Sequence, residues 1–219
     1  MHVAAAAAGR PMTFSAPDGV LLAGMLYEAS LRPAPAVVLV HMLGRSKDEW
    51  VRFAERLQDN GITALAIDLR GHGHSAGNGA DLPVMVGDVQ AALSWLSTRP
   101  GARPASIGVI GASLGANLAA LAAADTSAVK AVALISPSLD YRGVRLDAAV
   151  MKKLSDRAVW FAASTDDPYA LRSIRELIGE ATGPEQRLSS TRAHGTALIA
   201  ADQDLARGLV DWLRARLIF

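Results

Sequence analysis

What this chain can fold into is constrained most by its recurrent short apolar runs, each followed by an amphipathic segment. Ala36-Val37-Val38-Leu39-Val40 is one such run, bounded by Pro35 and the loop His41 to Gly44; Ile62 to Ile67, Ser106 to Ile110, Val129 to Ile135 and Ala158 to Ala163 repeat the pattern. A strand that is apolar at nearly every position is covered on both faces, as in the middle of a parallel sheet. Between the runs, apolar residues recur at helical spacing. Trp50, Phe53, Ala54 and Leu57 follow a Ser46 cap, and Leu82 to Leu96, Leu114 to Ala124, Val144 to Leu154 and Tyr169 to Ile178 carry further helical segments. Leu205, Leu209, Trp212, Leu213 and Leu217 form the apolar stripe of a last helix. The alternation predicts an α/β fold, a mainly parallel sheet with helices on both faces, whose ligands bind beyond the carboxyl ends of the strands.

Ala16-Pro17-Asp18-Gly19 is turn chemistry inside a predicted hairpin from Met12 to Glu28, and the polar stretch Gln186 to Thr191 is assigned as a final edge strand on topological grounds. The expected organisation is a flexible segment 1–11 and one domain, 12–219. With 51% hydrophobic and 20% charged residues the chain can bury a sizeable core. Twenty-two Lys and Arg against twenty-one Asp and Glu leave a net charge of +1, too little positive field for a nucleic-acid partner. Cysteine is absent, which removes disulfides, thiolate metal sites and a cysteine nucleophile together. Ala4 to Ala8 is too short for a secretory signal, and no stretch approaches the roughly 20 apolar residues of a membrane helix. The chain as given reads as soluble, with compartment and oligomeric state left open.

Gly111-Ala112-Ser113-Leu114-Gly115 fits G-x-S-x-G, a string that a chain with 19 glycines can produce by chance. Its position gives it meaning. It directly follows the run Ser106 to Ile110 and opens the helix Leu114 to Ala124, which is where a nucleophile elbow lies on a strained strand-to-helix turn. A serine hydroxyl is inert at neutral pH without a base, and histidine is the side chain suited to that task.

The order of elements, GASLG, the His41-Met42-Leu43-Gly44 loop and Asp68-Leu69-Arg70-Gly71-His72-Gly73-His74-Ser75 together resemble the α/β-hydrolase family over nearly the whole chain, and in particular its compact dienelactone-hydrolase-like members without a cap. The last string is similar to the family's D-x-R-G-x-G-x-S loop, which shapes the wall of the site without reacting. Of the five histidines, the resemblance implies His194 as base, because the family order Ser, acid, His requires one near the C-terminus. His2 is near the N-terminus, His41 abuts the oxyanion loop, and His72 and His74 sit in the Arg70 to Ser75 turn. For the acid, the resemblance aligns G-x-x-D on Ser164 to Asp167 and implies Asp167. Asp166, as an alternative cap of the helix that Pro168 starts, and Asp140, after the preceding strand, remain candidates. The family's oxyanion donors map to the N–H groups of Leu43 and Leu114. Met42 stands where the family has glycine, which puts the loop geometry in question because methionine disfavours positive φ. His72-x-His74 with Asp68 admits a metal reading, set aside because no third ligand stands at a recognisable spacing.

These residues imply a serine carboxylesterase acting on small ester substrates through an acyl-enzyme, with no cofactor or metal. A thioesterase, amidase or peptidase with the same triad, and a non-catalytic binding domain of this fold, are the alternatives. The roughly twenty residues between Ile135 and Ala158 leave little room for a cap. A shallow cleft walled by Met42, Leu43 and Leu139 is therefore expected, with short acyl groups of roughly C2 to C8 preferred over lipids.

Overall fold

Residues in the central strands alternate between two apolar layers, and this decides the architecture. The computed structural model describes residues 9–179 and 183–218; His2 and the Ala4–Ala8 run lie outside them. In chain order the elements are β1 (Arg10–Ser15), β2 (Leu21–Tyr27), β3 (Ala34–Val40), α1 (Val51–Asp59), β4 (Thr63–Ile67), α2 (Val86–Ser97), β5 (Ala102–Ala112), α3 (Leu114–Ala124) and β6 (Val129–Ile135). There follow β7 (Asp140–Tyr141), β8 (Val144–Arg145), α4 (Ala148–Lys153), β9 (Ala158–Ser164), α5 (Pro168–Ile178), β10 (Glu185–Ser189), α6 (Thr196–Ala201) and α7 (Gln203–Leu217).

Eight strands form one sheet in the order β1-β2-β4-β3-β5-β6-β9-β10. β1 and β2 are joined by the Pro17-Asp18-Gly19 turn and run antiparallel, as do β2 and β4, while every pairing from β4 to β10 is parallel. Val38, Val40, Leu65 and Ile67 face a core closed by α2, α3 and α5; Val37, Leu39, Ala64 and Ala66 face a second core closed by α1, α6 and α7. The period of two along each strand thus feeds both layers, so these strands are apolar throughout. After β3 the chain goes to β4 on one side and then crosses to β5 on the other. The carboxyl ends of β3 and β5 therefore flank the topological switch point, the place where open α/β sheets hold ligands.

Two expectations need correcting. The sheet begins at Arg10, so Arg10 and Pro11 belong to β1 rather than to a flexible segment 1–11. The helix expected over Val144 to Leu154 is reduced to the six residues of α4, capped by Asp147, whose carboxylate accepts the Ala149 and Val150 N–H groups. Its first two residues are instead β8, paired antiparallel with β7 because Arg142 (φ 49°) and Gly143 (φ 89°) turn the chain back on itself. A short helix, α6, also intervenes between His194 and α7. The polar segment near Gln186 does form the edge strand β10, spanning Glu185–Ser189, where exposure on the open side tolerates charge. Among the described residues no helix is long and apolar enough to cross a membrane.

Candidate active site

Ser113 stands between β5 and α3 with φ 52° and ψ −120°. A left-handed non-glycine residue costs of order 1–3 kcal/mol, and it persists only where its surroundings over-determine it. Here they do. The Ser113 N–H donates to Ile135 O at 2.9 Å, and its carbonyl accepts the Ala116 N–H at 2.9 Å. A Cβ on Gly111 would lie 2.0 Å from Gly115 O, and one on Gly115 would lie 2.5 Å from the carbonyl oxygens of both Val40 and His41. Both glycines of G-x-S-x-G are therefore required by backbone contact, and they let α3 start hard against the end of β3. Leu114 opens α3, where the first N–H groups have no carbonyl within the helix.

His194 follows β10, and its Nδ1 meets Asp167 Oδ2 at 2.6 Å. An ionised carboxylate only accepts, so the proton is assigned to Nδ1 and the ring leaves Nε2 as its basic atom. Asp167 Oδ1 accepts the Ala170 N–H at 3.0 Å, so the same carboxylate caps α5. The alternative cap is thereby corrected: Asp166 lies outside the helix and pairs with Arg192 Nε at 2.8 Å. Asp140 accepts the Gly143 N–H within the β7–β8 turn. Asp167 is thus the candidate brought to the His194 ring. The His194 loop passes beside the residue before Ser113, since a Cβ on Gly195 would be in ordinary contact with Ala112 Cβ at 3.6 Å.

The loop after β3 is held by histidines rather than by a glycine. Met42 is not among the residues with positive φ, so its side chain brings no left-handed strain. His41 is fully buried; its Nδ1–H donates to Met42 O at 2.6 Å and its Nε2 accepts the Leu69 N–H at 3.0 Å. Burial lowers its pKa to about 4, against the raising effect of the Met42 carbonyl, so the ring is neutral and ties two loops together. His72 bridges likewise, donating from Nδ1 to Arg70 O at 2.9 Å and accepting the Gly44 N–H at Nε2 at 3.1 Å. The Gly44 N–H is engaged there, and the Arg45 N–H donates to Met42 O at 3.2 Å, so the turn around Leu43 is closed by its own backbone.

The Asp68 to Ser75 segment is a scaffold of buried charge. Asp68 accepts the Lys47 N–H and Nζ, both at 2.7 Å, and the His74 N–H at 2.9 Å. Burial alone would raise its pKa, but these donors hold the carboxyl below the usual range. Arg70 forks onto Asp88 and Asp18, each at 2.6 Å, and their hydrogen bonds raise its pKa further. Gly73 is packed on the Asp68 carboxylate. The residues of the metal reading are thus engaged elsewhere, and no group of three or more His, Asp or Glu able to hold a metal occurs among the described residues.

Two open cavities lie at this end of the sheet. One, of about 510 Å³, is bordered by Ser164, Asp167, Arg192 and His194; the other, of about 570 Å³, by Leu43, Leu82, Pro83 and Arg142. A third, also about 570 Å³, lies between α1 and α6 and is lined by neither Ser113 nor His194. The segment after β6 is pinned by Asn117, one turn into α3. Its amide donates to Ser138 O and Val144 O at 2.9 and 2.8 Å and accepts the Ser138 N–H at 3.1 Å. Sequence reasoning missed Asn117 and Ser136, whose hydroxyl accepts the Gly195 N–H at 3.0 Å. Neither carries a sequence signal, because each acts on a partner distant along the chain.

Comparison with known proteins bears on the family and the fold. Residues 32–202 match the family model described as serine aminopeptidase, S33. A polyketide transferase of Stachybotrys chlorohalonatus is 34% identical over 152 residues, 65% of this chain and 51% of that protein. A thiohydrolase of Aspergillus aculeatus is 29% identical over 154 residues, 68% of this chain and 48% of that one. The chain thus spans about half the length of the curated relatives it matches. A Pyrococcus furiosus esterase superposes with a TM-score of 0.78 at 16% identity, covering 95% of this chain and 93% of its own. A dienelactone hydrolase from Anabaena variabilis does so with 0.77 at 19%, covering 95% and 98%. At such identities the likeness is one of fold, an α/β-hydrolase sheet with no separate cap domain among the described residues. With the family model matched from Arg32 to Asp202, the chain belongs to the S33 family of α/β hydrolases.

Proposed function

We propose that the protein is a serine carboxylesterase that cleaves small, short-chain carboxylic esters through an acyl-enzyme, with Ser113 as nucleophile, His194 as base and Asp167 as the acid that orients it. The observation that carries the reading is the 2.6 Å pair between Asp167 and His194 Nδ1, on a loop whose next residue, Gly195, lies beside Ala112, the residue before the strained Ser113. Asp167 directs the basic Nε2 away from itself and stabilises the imidazolium that forms. Ser113 Oγ then attacks the ester carbonyl as Nε2 takes its proton. The oxyanion rests on the N–H groups of Leu43 and Leu114, and the alcohol leaves with the proton returned by His194. Water repeats the sequence on the acyl-enzyme and frees the acid. No step calls for a cofactor.

The open cavity beside the Leu43 loop, bordered by Leu43, Leu82 and Pro83 and lined by neither Ser113 nor His194, is the space assigned to a short acyl group in this reading. Thioester cleavage is the second reading, favoured by the similarity to a thiohydrolase, because the same machinery serves a better leaving group. A fluorophosphonate probe tests the core of the proposal. Stoichiometric labelling of Ser113 is expected, and a folded protein that takes no label is a binding domain instead. A panel of p-nitrophenyl esters and matched thioesters then ranks the two chemistries by kcat/KM.

A further inference from the structure

Ser113 follows β5 and His194 follows β10, with β6 and β9 lying between those strands in the sheet. Two loops from such separate origins need a common anchor to hold a proton-transfer distance. The end of β6 provides one. Ile135 O accepts the Ser113 N–H at 2.9 Å, and the next residue reaches the other loop: Ser136 Oγ accepts the Gly195 N–H at 3.0 Å. The Ser136 backbone is itself tied to β9 through its N–H to Ala162 O at 2.7 Å. Ser136 is 2% exposed and has φ 50°, a conformation that glycine adopts far more readily, yet the chain keeps a hydroxyl there. On the far side, Gly195 has φ 60° and packs so closely that a Cβ would lie 2.2 Å from Met42 Sδ. The residue after His194 is therefore held between Met42 and the Ser136 hydroxyl, while Asp167 holds the ring.

We propose that Ser136 is a positioning residue: its buried hydroxyl, presented by a left-handed turn at the end of β6, sets the His194 loop at its working distance from Ser113. The inference rests on the assignment of Ser113 and His194 as nucleophile and base. A strained, buried residue next to two reacting loops is the kind of outlier from which function is properly inferred.

Ser136→Gly and Ser136→Ala test it: glycine accepts the backbone conformation while removing the whole side chain, and alanine removes the hydroxyl alone. A misplacement of about 1 Å costs on the order of 10²-fold in rate, so kcat for p-nitrophenyl acetate and the rate of fluorophosphonate labelling should both fall about 10²-fold. KM should change less than about twofold, because the substrate cleft is untouched. The far-UV circular dichroism spectrum and Tm of Ser136→Gly should stay close to wild type, so a slow but stable enzyme supports the proposal. A folded Ser136→Gly variant with kcat within about threefold of wild type overturns it, as does a fall in Tm and a rise in KM with kcat intact, which would mark a structural role. Labelling of the wild type at Ser113 keeps these outcomes separate from the parent assignment. If the wild type takes no label, the nucleophile assignment falls and this proposal falls with it.

Discussion

Replacing Asp167 separates two tasks that one carboxylate performs. Oδ2 meets His194 Nδ1 at 2.6 Å, and Oδ1 caps α5 by accepting the Ala170 N–H at 3.0 Å. Asp167→Asn keeps an oxygen for the cap, since asparagine caps as well as aspartate. It loses the negative charge at the helix start, worth about 0.3–1 kcal/mol, and it presents an amide that favours the wrong imidazole tautomer. Asp167→Ala loses the charge and the cap, the latter about 1 kcal/mol more. For a domain of this size each kcal/mol moves Tm by about 2–4 °C, so Tm should fall by about 1–3 °C in the Asn variant and about 3–7 °C in the Ala variant. Activity should not follow that order. Both variants should lose about 10⁴-fold in kcat, because both lose the acceptor that fixes Nδ1–H. Thermal melts and p-nitrophenyl acetate kinetics on the two variants and on Asp166→Asn make the measurement. Near wild-type turnover in Asp167→Asn, or an equal loss in Asp166→Asn, refutes the assignment, and equal Tm values for the Asn and Ala variants refute the capping argument.

Ser113→Ala should abolish measurable esterase activity with the fold intact; turnover near wild type would remove Ser113 as nucleophile. His41 makes stability depend on pH. Burial holds its folded pKa at about 4 while the unfolded chain titrates near 6.5, so the unfolded state takes up the proton first. Stability is full above about pH 6.5 and falls by roughly 3 kcal/mol by pH 4, and urea unfolding of His41→Gln should be flatter across that window; an unchanged slope rejects the idea. Among p-nitrophenyl esters from acetate to palmitate, kcat/KM should peak between about C2 and C8, since each further methylene gains about 0.8 kcal/mol only while it stays buried. A maximum at C14 or C16 would indicate a lipase.

Fold class was legible in the chain because burial on both faces of β3, β4 and β6 leaves no polar alternation, and that pattern is local. The elbow was legible for the same reason: strand, glycine, serine, glycine and helix are contiguous from Ser106 to Ala124. The turn at Arg142 and Gly143 was not. Val144 to Leu154 has helical periodicity, but Asn117, distant in sequence, claims the Val144 carbonyl and bends the segment into a hairpin. Between the two adjacent aspartates the family's G-x-x-D spacing pointed to Asp167 only by resemblance, because which carboxylate turns toward His194 depends on how β9 and β10 lie side by side. Only the tertiary structure revealed that His41 is a neutral strut, that His72 bridges Arg70 and Gly44 and that Ser136 reaches Gly195, for these are bonds between loops that the sheet brings together. Sequence by itself determined which residues have the chemistry; the parallel stacking of strand ends decided which of them meet, since hydrogen bonds of 2.6 to 3.1 Å are set by the sheet's geometry and not by distance along the chain.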